Sequence, residues 1–519
     1  MRGASNVWRA LGRAHRMNLA EQAAAPHEGP AGGISRRSLL AGLAGGAALA
    51  TLPRWPAYAQ ASARIAIVGG GLAGLGALDT LRRNNVAATL YEARGAAGGR
   101  TRSVRNVFAP VFAFDEGAQL VNTDHADLLA LIRRYGIGLV DRQAYGPARE
   151  VQIGRNGTVA TEARLAAQLR GIAAQISADA DRIGSDVSYS AEIDRLSVQD
   201  YVDRHGLRRG DARDALETAI RTEYGSEPQE ASALELLFNL PRVEGRHLHR
   251  ITGSDERYLV AGGTDQVAKA LAAEHERDIR LNKRLAAVAF GGAGVRLGFT
   301  DGEQVEADRV VLALPVTLLR EIRIEGPLPP LWRAFIDEVR LGRNEKVIVG
   351  YDGSPWRRTI GFGGALWANH GFSAAWEAVS LAPAPGPAAL CYFLGGNQVD
   401  AASGVDASEL ARRFTAVARR ALPGLTAPNG IVRRTRWTDD PLTKGSYSRF
   451  APGQLTRFAS LFAREDENGG FRAAEAGPLL FAGEHISDEY AGFMNGALQS
   501  GRIAAQAILA PAAARRAAA

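Results

Sequence analysis

Cysteine is almost absent. Cys391 is the only one in 519 residues. No intramolecular disulfide can form, and no zinc or iron–sulfur site built on cysteine is available. Long apolar runs are scarce too. The run over residues 39–52 is 14 residues long, short of the roughly 20 that cross a bilayer as a helix. Excess charge of one sign is confined to one end. The formal net charge is +7. Residues 1–59 hold seven Arg, no Lys, two Glu and no Asp, a net +5. The other 460 residues therefore carry +2. They show no Lys/Arg block with interleaved aromatics, so a nucleic-acid partner is not expected. What remains is globular composition, 46% hydrophobic and 23% charged, which excludes wholesale disorder. At roughly 100–200 residues per domain, the length allows two to four domains or one large interleaved fold.

The N-terminal charge has a recognisable arrangement. Ser35-Arg36-Arg37-Ser38-Leu39-Leu40 precedes the apolar run, and Ala57-Tyr58-Ala59 closes it with small residues in an A-x-A pattern. This order is that of a secretory signal. The paired arginines are similar to the twin-arginine class, which carries folded proteins across a membrane. Cleavage after Ala59 would start the mature chain at Gln60, in a periplasmic or secreted location. Residues 1–34 form a polar extension ahead of the signal. Export in the folded state suits a protein that acquires a tightly held cofactor first.

A cofactor signature follows at once. Arg64-Ile65-Ala66-Ile67-Val68 reads as a buried parallel strand. It runs into G-x-G-x-x-G at Gly69, Gly71 and Gly74, then a helical pattern with Leu75, Leu78 and Leu81. A second strand over residues 87–91 ends at Glu92, placed to meet a ribose hydroxyl. Each glycine has its own task. Gly69 allows the tight turn, Gly71 lets the backbone approach a pyrophosphate, and Gly74 lets the helix pack on the strand.

The motifs beyond this turn carry a resemblance. Glu92-Ala93-Arg94 leads to a second glycine turn, Gly98-Gly99-Arg100-Thr101. Further on come Arg257 to Gly263, a strand-like stretch 279–289 containing Val288, Val310 to Pro315, and Leu341 to Val347 with Lys346. Then follow Trp437 with Asp440-Pro441, Lys444 to Ser448, Leu480 to His485, and Gly492-Phe493-Met494-Asn495-Gly496-Ala497. This ordered set, spanning roughly residues 64–509, resembles the flavin-containing amine oxidase superfamily, including monoamine, polyamine and L-amino-acid oxidases.

The resemblance implies a mixed α/β architecture. A Rossmann-like FAD-binding domain is assembled from residues 60–140, 256–318 and 437–510. Residues 141–255 form a helical insertion, with Leu165, Leu169, Ile172 and Ile176 at helical spacing. Residues 319–436 form the sheet part of a substrate domain. Residues 1–59 are the extension and signal, and 511–519 a tail.

It also implies an activity. In the family a neutral amine gives up hydride from its α-carbon to flavin N5. The imine is released and hydrolysed to an aldehyde or ketone, and dioxygen reoxidises the flavin to give hydrogen peroxide. The expected FAD contacts are Gly69, Gly71, Gly74, Glu92, Arg94, Gly98, Gly99, Arg100, Val288 (through its backbone), Trp437, Gly483, Glu484 and Met494. Lys346 matches the lysine near flavin N5. Tyr447 and Phe493 match the aromatic cage that aligns the amine. Gln119 and Tyr490 are expected in the substrate pocket. Many monoamine oxidases have Tyr at both cage positions, so Phe493 is a departure. Ser446 replaces the cysteine that anchors flavin covalently in some relatives, implying non-covalent FAD. Leu120 stands where L-amino-acid oxidases grip the substrate carboxylate with arginine, which favours a simple amine.

Alternatives stay open at this point. They are a dehydrogenase passing electrons to a periplasmic acceptor, an L-amino-acid oxidase, and a non-catalytic flavoprotein. Homodimerisation is open too. No metal site is expected. His247 and His249 lack a third ligand, and His125 and His485 read as ordinary structural or surface residues.

Overall fold

A computed structural model describes residues 5–22 and 63–510, apart from 109–111, 184, 245–246, 251–253, 293 and 467–468. The twin-arginine pair, the apolar run and the Ala57–Ala59 pattern lie outside the described residues. Among the described residues, no helix is long and apolar enough to cross a membrane.

The architecture begins at β1 (Ile65–Val68), whose four side chains are all buried. It turns through the glycines into α1 (Leu72–Arg83) and returns as β2 (Thr89–Tyr91). Two distant segments complete the same sheet. β3 (Arg309–Leu312) pairs with β1 in parallel, Ile67 opposite Val311. β4 (Leu479–Phe481) pairs with β3, Val311 opposite Leu480. The spatial order is Ile279–Arg280, β2, β1, β3, β4 and an antiparallel edge strand, Glu475–Ala476. These strands are apolar on both faces because helices cover both. α1 and the last helix, Met494–Leu509, pack so closely that Gly501 meets the backbone of Ala73.

A seven-stranded sheet stands beyond this domain. Its order is Val432–Arg434, Asn344–Tyr351, Ala388–Gly395, Ala374–Glu377, Ala365–Trp367, Glu150–Ile153 and Val159–Ala160. Its two long central strands are buried along their whole length. The last two strands come from residues 141–255, so that insertion is not purely helical as expected. Its helices are nevertheless prominent. α2 (Glu162–Arg182) buries Leu165, Leu169, Ile172 and Ile176, and Thr161 caps it by accepting the Arg164 N–H. α3 (Asp211–Tyr224) ends at Gly225, φ +58°, a left-handed stop.

The 279–289 stretch is two strands, Ile279–Arg280 in the central sheet and Leu285–Phe290 in a separate four-stranded sheet. The polar N-terminal extension also differs from its sequence reading. Residues Ser5–Gln22 form a helix that buries Val7, Ala10, Leu11 and Ala14 in the core containing α2. Across that contact the Asn18 side-chain amide donates to the Arg170 carbonyl at 2.8 Å, and Arg170 Nε donates to Asn18 Oδ1 at 3.0 Å. The sequence here is polar on average but apolar on one face, and that face decides.

Candidate active site

One cavity of about 570 Å³ runs from the β1–α1 turn to the seven-stranded sheet. Its first half is made by glycine. Gly69 has φ +109°, a conformation that costs a side chain dearly, and its N–H donates to the Tyr91 carbonyl at 2.8 Å. A Cβ on Gly74 would strike the Gly69 carbonyl oxygen, so Gly74 sits behind the turn and does not line the cavity. A Cβ on Gly71 would meet nothing within 4 Å. The space beside Gly71 is therefore the cavity itself, at the N-terminus of a twelve-residue helix with no acid in its first turn. That is where a pyrophosphate is favoured. The second glycine turn closes over the first: the Gly98 N–H donates to the Gly70 carbonyl at 2.8 Å. The Glu92 carboxylate accepts from the Gly70 N–H at 2.6 Å and the Arg94 N–H at 2.7 Å. It faces the cavity with lone pairs to spare for a ribose.

The middle is organised by Glu484. Arg100 Nη1 donates to its Oε1 at 2.8 Å and to the Ser446 carbonyl at 2.5 Å. The Ser448 hydroxyl, at 2.7 Å, and the Gly492 N–H, at 3.0 Å, donate to Oε2. Burial opposes ionisation of Glu484, but the charges of Arg100 and His485 and the Ser448 hydrogen bond hold its pKa below the ordinary carboxylate value. Trp437 Nε1 donates to the Glu116 carbonyl at 3.1 Å, and Arg102 lies over the Trp437 ring at 4.4 Å. Trp437, Gly483, Glu484 and Met494 all line the cavity. Val288 does not. The strand Leu285–Phe290 runs away from the cavity into its own sheet, and Leu285 and Ala286 line the cavity in its stead.

The far half surrounds Lys346. Its ammonium nitrogen donates to the carbonyls of Asp115 and Gly117, both at 2.8 Å, and to Gln119 Oε1 at 3.4 Å. Burial pulls its pKa below the ordinary lysine value. Gln119 is held by Trp376 Nε1 at 3.1 Å and by its own donation to the Ala378 carbonyl at 3.2 Å. The Tyr447 hydroxyl donates to the Thr222 carbonyl. Phe493 caps the last helix and meets His125 edge-on, centroids 5.2 Å apart. The Tyr490 hydroxyl donates to the Asp124 carbonyl at 3.1 Å. Lys346, Gln119, Tyr447, Tyr490 and Phe493 line one cavity, joined by Trp376, Phe393, Glu223 and Glu256.

Several of these residues gave no sequence signal. Glu223 ends a helix in a weakly matched insertion. In the sequence His125 reads as an ordinary loop residue, yet it is fully buried behind Phe493 and Tyr490. His485 is not a surface residue either. It is 1% exposed and lines the cavity, and burial pushes its pKa down to about 4. Neither of its ring nitrogens has a hydrogen-bond partner among the described residues. Buried polar atoms are seldom left unpaired, so these nitrogens suit a polar group occupying the cavity. With the open glycine cradle and the carboxylate of Glu92, they make this a fitting seat for FAD. Cys391, the only sulfur available for a thioether, lies in the sheet and does not line the cavity.

Among the described residues, Asp79, Glu274 and His275 are close enough to hold a metal ion. Arg134 already bridges both of those carboxylates, and none of the three lines this cavity.

Comparison with known proteins agrees with this geometry. Residues 72–509 match the family model described as flavin containing amine oxidoreductase. An amine oxidase [flavin-containing] of Danio rerio is 24% identical over 464 residues, covering 86% of this chain and 85% of that protein. Amine oxidase [flavin-containing] B of Homo sapiens is 23% identical, covering 86% of each. Among solved structures, a putrescine oxidase bound to putrescine has a TM-score of 0.72 at 22% identity, covering 86% of this chain and 99% of that one. Cyclohexylamine oxidase from Brevibacterium oxydans has a TM-score of 0.72 at 22% identity, covering 86% and 98%. The chain belongs to the flavin containing amine oxidoreductase family and is an FAD-dependent oxidoreductase acting on amines, with the cofactor held non-covalently.

Proposed function

We propose that this protein is an exported amine oxidase that takes a primary or secondary amine and passes its electrons to dioxygen. The observation that carries this reading is the joining of two features in one cavity. The glycine cradle and Glu92 form one end, and Lys346, Tyr447 and Phe493 form the other. Bound FAD would supply the hydride acceptor and, with dioxygen, hydrogen peroxide. The chain's own residues do the rest. Tyr447 and Phe493 flank the amine and leave little room for bulky α-substituents. Lys346, anchored on two backbone carbonyls, presents a nitrogen whose weakest contact, to Gln119, can be exchanged for water. Buried among carbonyls and rings, it works in surroundings where a proton or hydrogen bond counts for more than in water.

An amino acid fits this cavity poorly. Its carboxylate needs a free arginine or lysine. Arg94 is paired with Asp440 and Arg100 with Glu484. Lys283 is paired with Asp301 and Glu303, and Arg284 with Glu321. Leu120 lines the wall where a carboxylate-gripping arginine would stand. The fold neighbours named for putrescine and cyclohexylamine are consistent with a simple amine.

Export rests on the Ser35–Leu40 segment, the apolar run and Ala57–Ala59. The catalytic reading is tested by adding amines to the purified holoenzyme without oxygen and then admitting air. Bleaching by an amine, with fast recovery and peroxide, supports an oxidase. Fast turnover only with an added electron acceptor would replace it with a dehydrogenase.

A further inference from the structure

Phe493 has no hydroxyl to anchor it, so the angle of its ring is set by what lies behind it. It shares a turn with Tyr490. The Phe493 N–H donates to the Tyr490 carbonyl at 3.1 Å, and Gly492 takes the φ of +85° that such a turn requires. Behind both rings lies His125. It meets Phe493 edge-on with centroids 5.2 Å apart, and Tyr490 edge-on at 5.7 Å. It does not itself line the cavity.

Three contacts fix the imidazole against this turn. Its Nδ1 accepts the Asn122 N–H at 3.2 Å. The Tyr490 hydroxyl, donating to the Asp124 carbonyl, ties the turn to the loop that carries His125. The Leu128 N–H donates to Asn495 Oδ1 at 3.0 Å, which ties the helix Ala126–Arg134 to the start of the last helix.

Because Nδ1 accepts, the proton of the neutral ring sits on Nε2. Burial pulls the pKa of His125 down to about 4, against the opposing charge of Asp255, so the ring is neutral at pH 7. The Nε2–H is buried and has no oxygen or nitrogen partner among the described residues. A buried donor left in this way is costly, and an apolar side chain of like size would fill the space without that cost. The faces of the neighbouring rings are the acceptors that remain.

We propose that His125 is a positioning residue of the amine cage, whose Nε2–H bears on the Phe493 ring and holds it at the angle at which, with Tyr447, it aligns the amine. This inference rests on the amine-oxidase reading above. His125 touches neither amine nor flavin and acts through Phe493. Without its N–H the ring is free to turn, which admits α-substituents and loosens the grip on unbranched amines.

The test uses the purified holoenzyme with two amine pairs, benzylamine with 1-phenylethylamine and n-pentylamine with 2-aminohexane. Each pair differs by a methyl on the α-carbon. His125→Leu should lower kcat/KM for the unbranched amine by about 10-fold, the upper range of one neutral hydrogen bond, and narrow its preference over the branched one, with the flavin spectrum retained. His125→Gln keeps an N–H near the place of Nε2 and should recover both to within about twofold. A preference unchanged in His125→Leu, or a Gln variant no better than the Leu variant, overturns the inference and leaves the amine oxidase intact. A second readout needs neither variant to turn over an amine. In 15N-histidine spectra of the holoenzyme, the signal that His125→Gln removes should report a proton on Nε2 at pH 7 and should shift in Phe493→Leu. A proton on Nδ1, or no shift, also overturns it. Failure of every amine to bleach the flavin overturns the amine-oxidase reading itself.

Discussion

Lys346 shows how much a residue's role depends on what surrounds it. On sequence alone it is one lysine near a strand end. In the structure it sits on the buried strand Asn344–Tyr351, 6% exposed, with three acceptors around its nitrogen. An ammonium has three donors, and here all three are used. To bind water, the nitrogen must release Gln119 or lose a proton, and burial makes the second easier. Lys346→Met removes the nitrogen but keeps the apolar stem. We expect flavin reduction or its reoxidation by air to slow by about 100-fold, a typical share for a proton-handling group, with FAD still bound. Stopped-flow absorbance separates the two half-reactions. Unchanged rates in both would remove Lys346 from the chemistry.

At the scale of elements, the β1–α1 turn was the most legible part of the chain. Its glycines are adjacent in sequence, and each has a distinct steric reason. The structure makes two of those reasons separable. A side chain at Gly74 collides with the protein's own backbone, whereas one at Gly71 points into empty cavity. Gly71→Val should therefore yield a folded, colourless protein whose far-ultraviolet circular dichroism matches that of the apoprotein. Gly74→Val should instead lower the melting temperature of the apoprotein itself, at a cost of about 3 kcal/mol or more. Equal effects of the two substitutions on apoprotein stability would contradict this division.

Elements assembled from distant segments were legible only through the resemblance. No local pattern announces that β1, β3 and β4 lie side by side across more than 400 residues. The strands Glu150–Ile153 and Val159–Ala160 are not legible in the sequence because four and two residues carry too little periodicity. Val288 was misplaced by about three residues because the turn into its strand, residues 281–284, reads as part of one continuous strand. Glu223 and His125 escaped for another reason. A carboxylate at a helix end and a histidine in a loop are ordinary until the fold closes around them.

For the molecule as a whole, the N-terminus carries two requirements that meet. Cleavage after Ala59 would withdraw the helix Ser5–Gln22 from α2, where it buries Val7, Ala10, Leu11 and Ala14. On the export reading proposed above, the leader would engage the folded body before its removal, as a route for folded proteins allows. Replacing Arg36 and Arg37 by Lys should hold the precursor, flavin included, in the cytoplasm. N-terminal sequencing of the exported wild type should begin at Gln60. An exported protein beginning near Met1 would overturn the cleavage and leave the helix as a permanent part of the enzyme.

The central claim is that the Lys346–Tyr447–Phe493 end of the cavity delivers an amine's electrons to FAD held at the glycine end. Anaerobic mixing of the purified holoenzyme with a panel of amines and amino acids, followed in the visible flavin band, tests it most directly. The account predicts bleaching by simple amines, none by α-amino acids at comparable concentration, and rapid recovery with peroxide when air is admitted. A yellow protein that no amine bleaches, or one that only amino acids bleach, would contradict it.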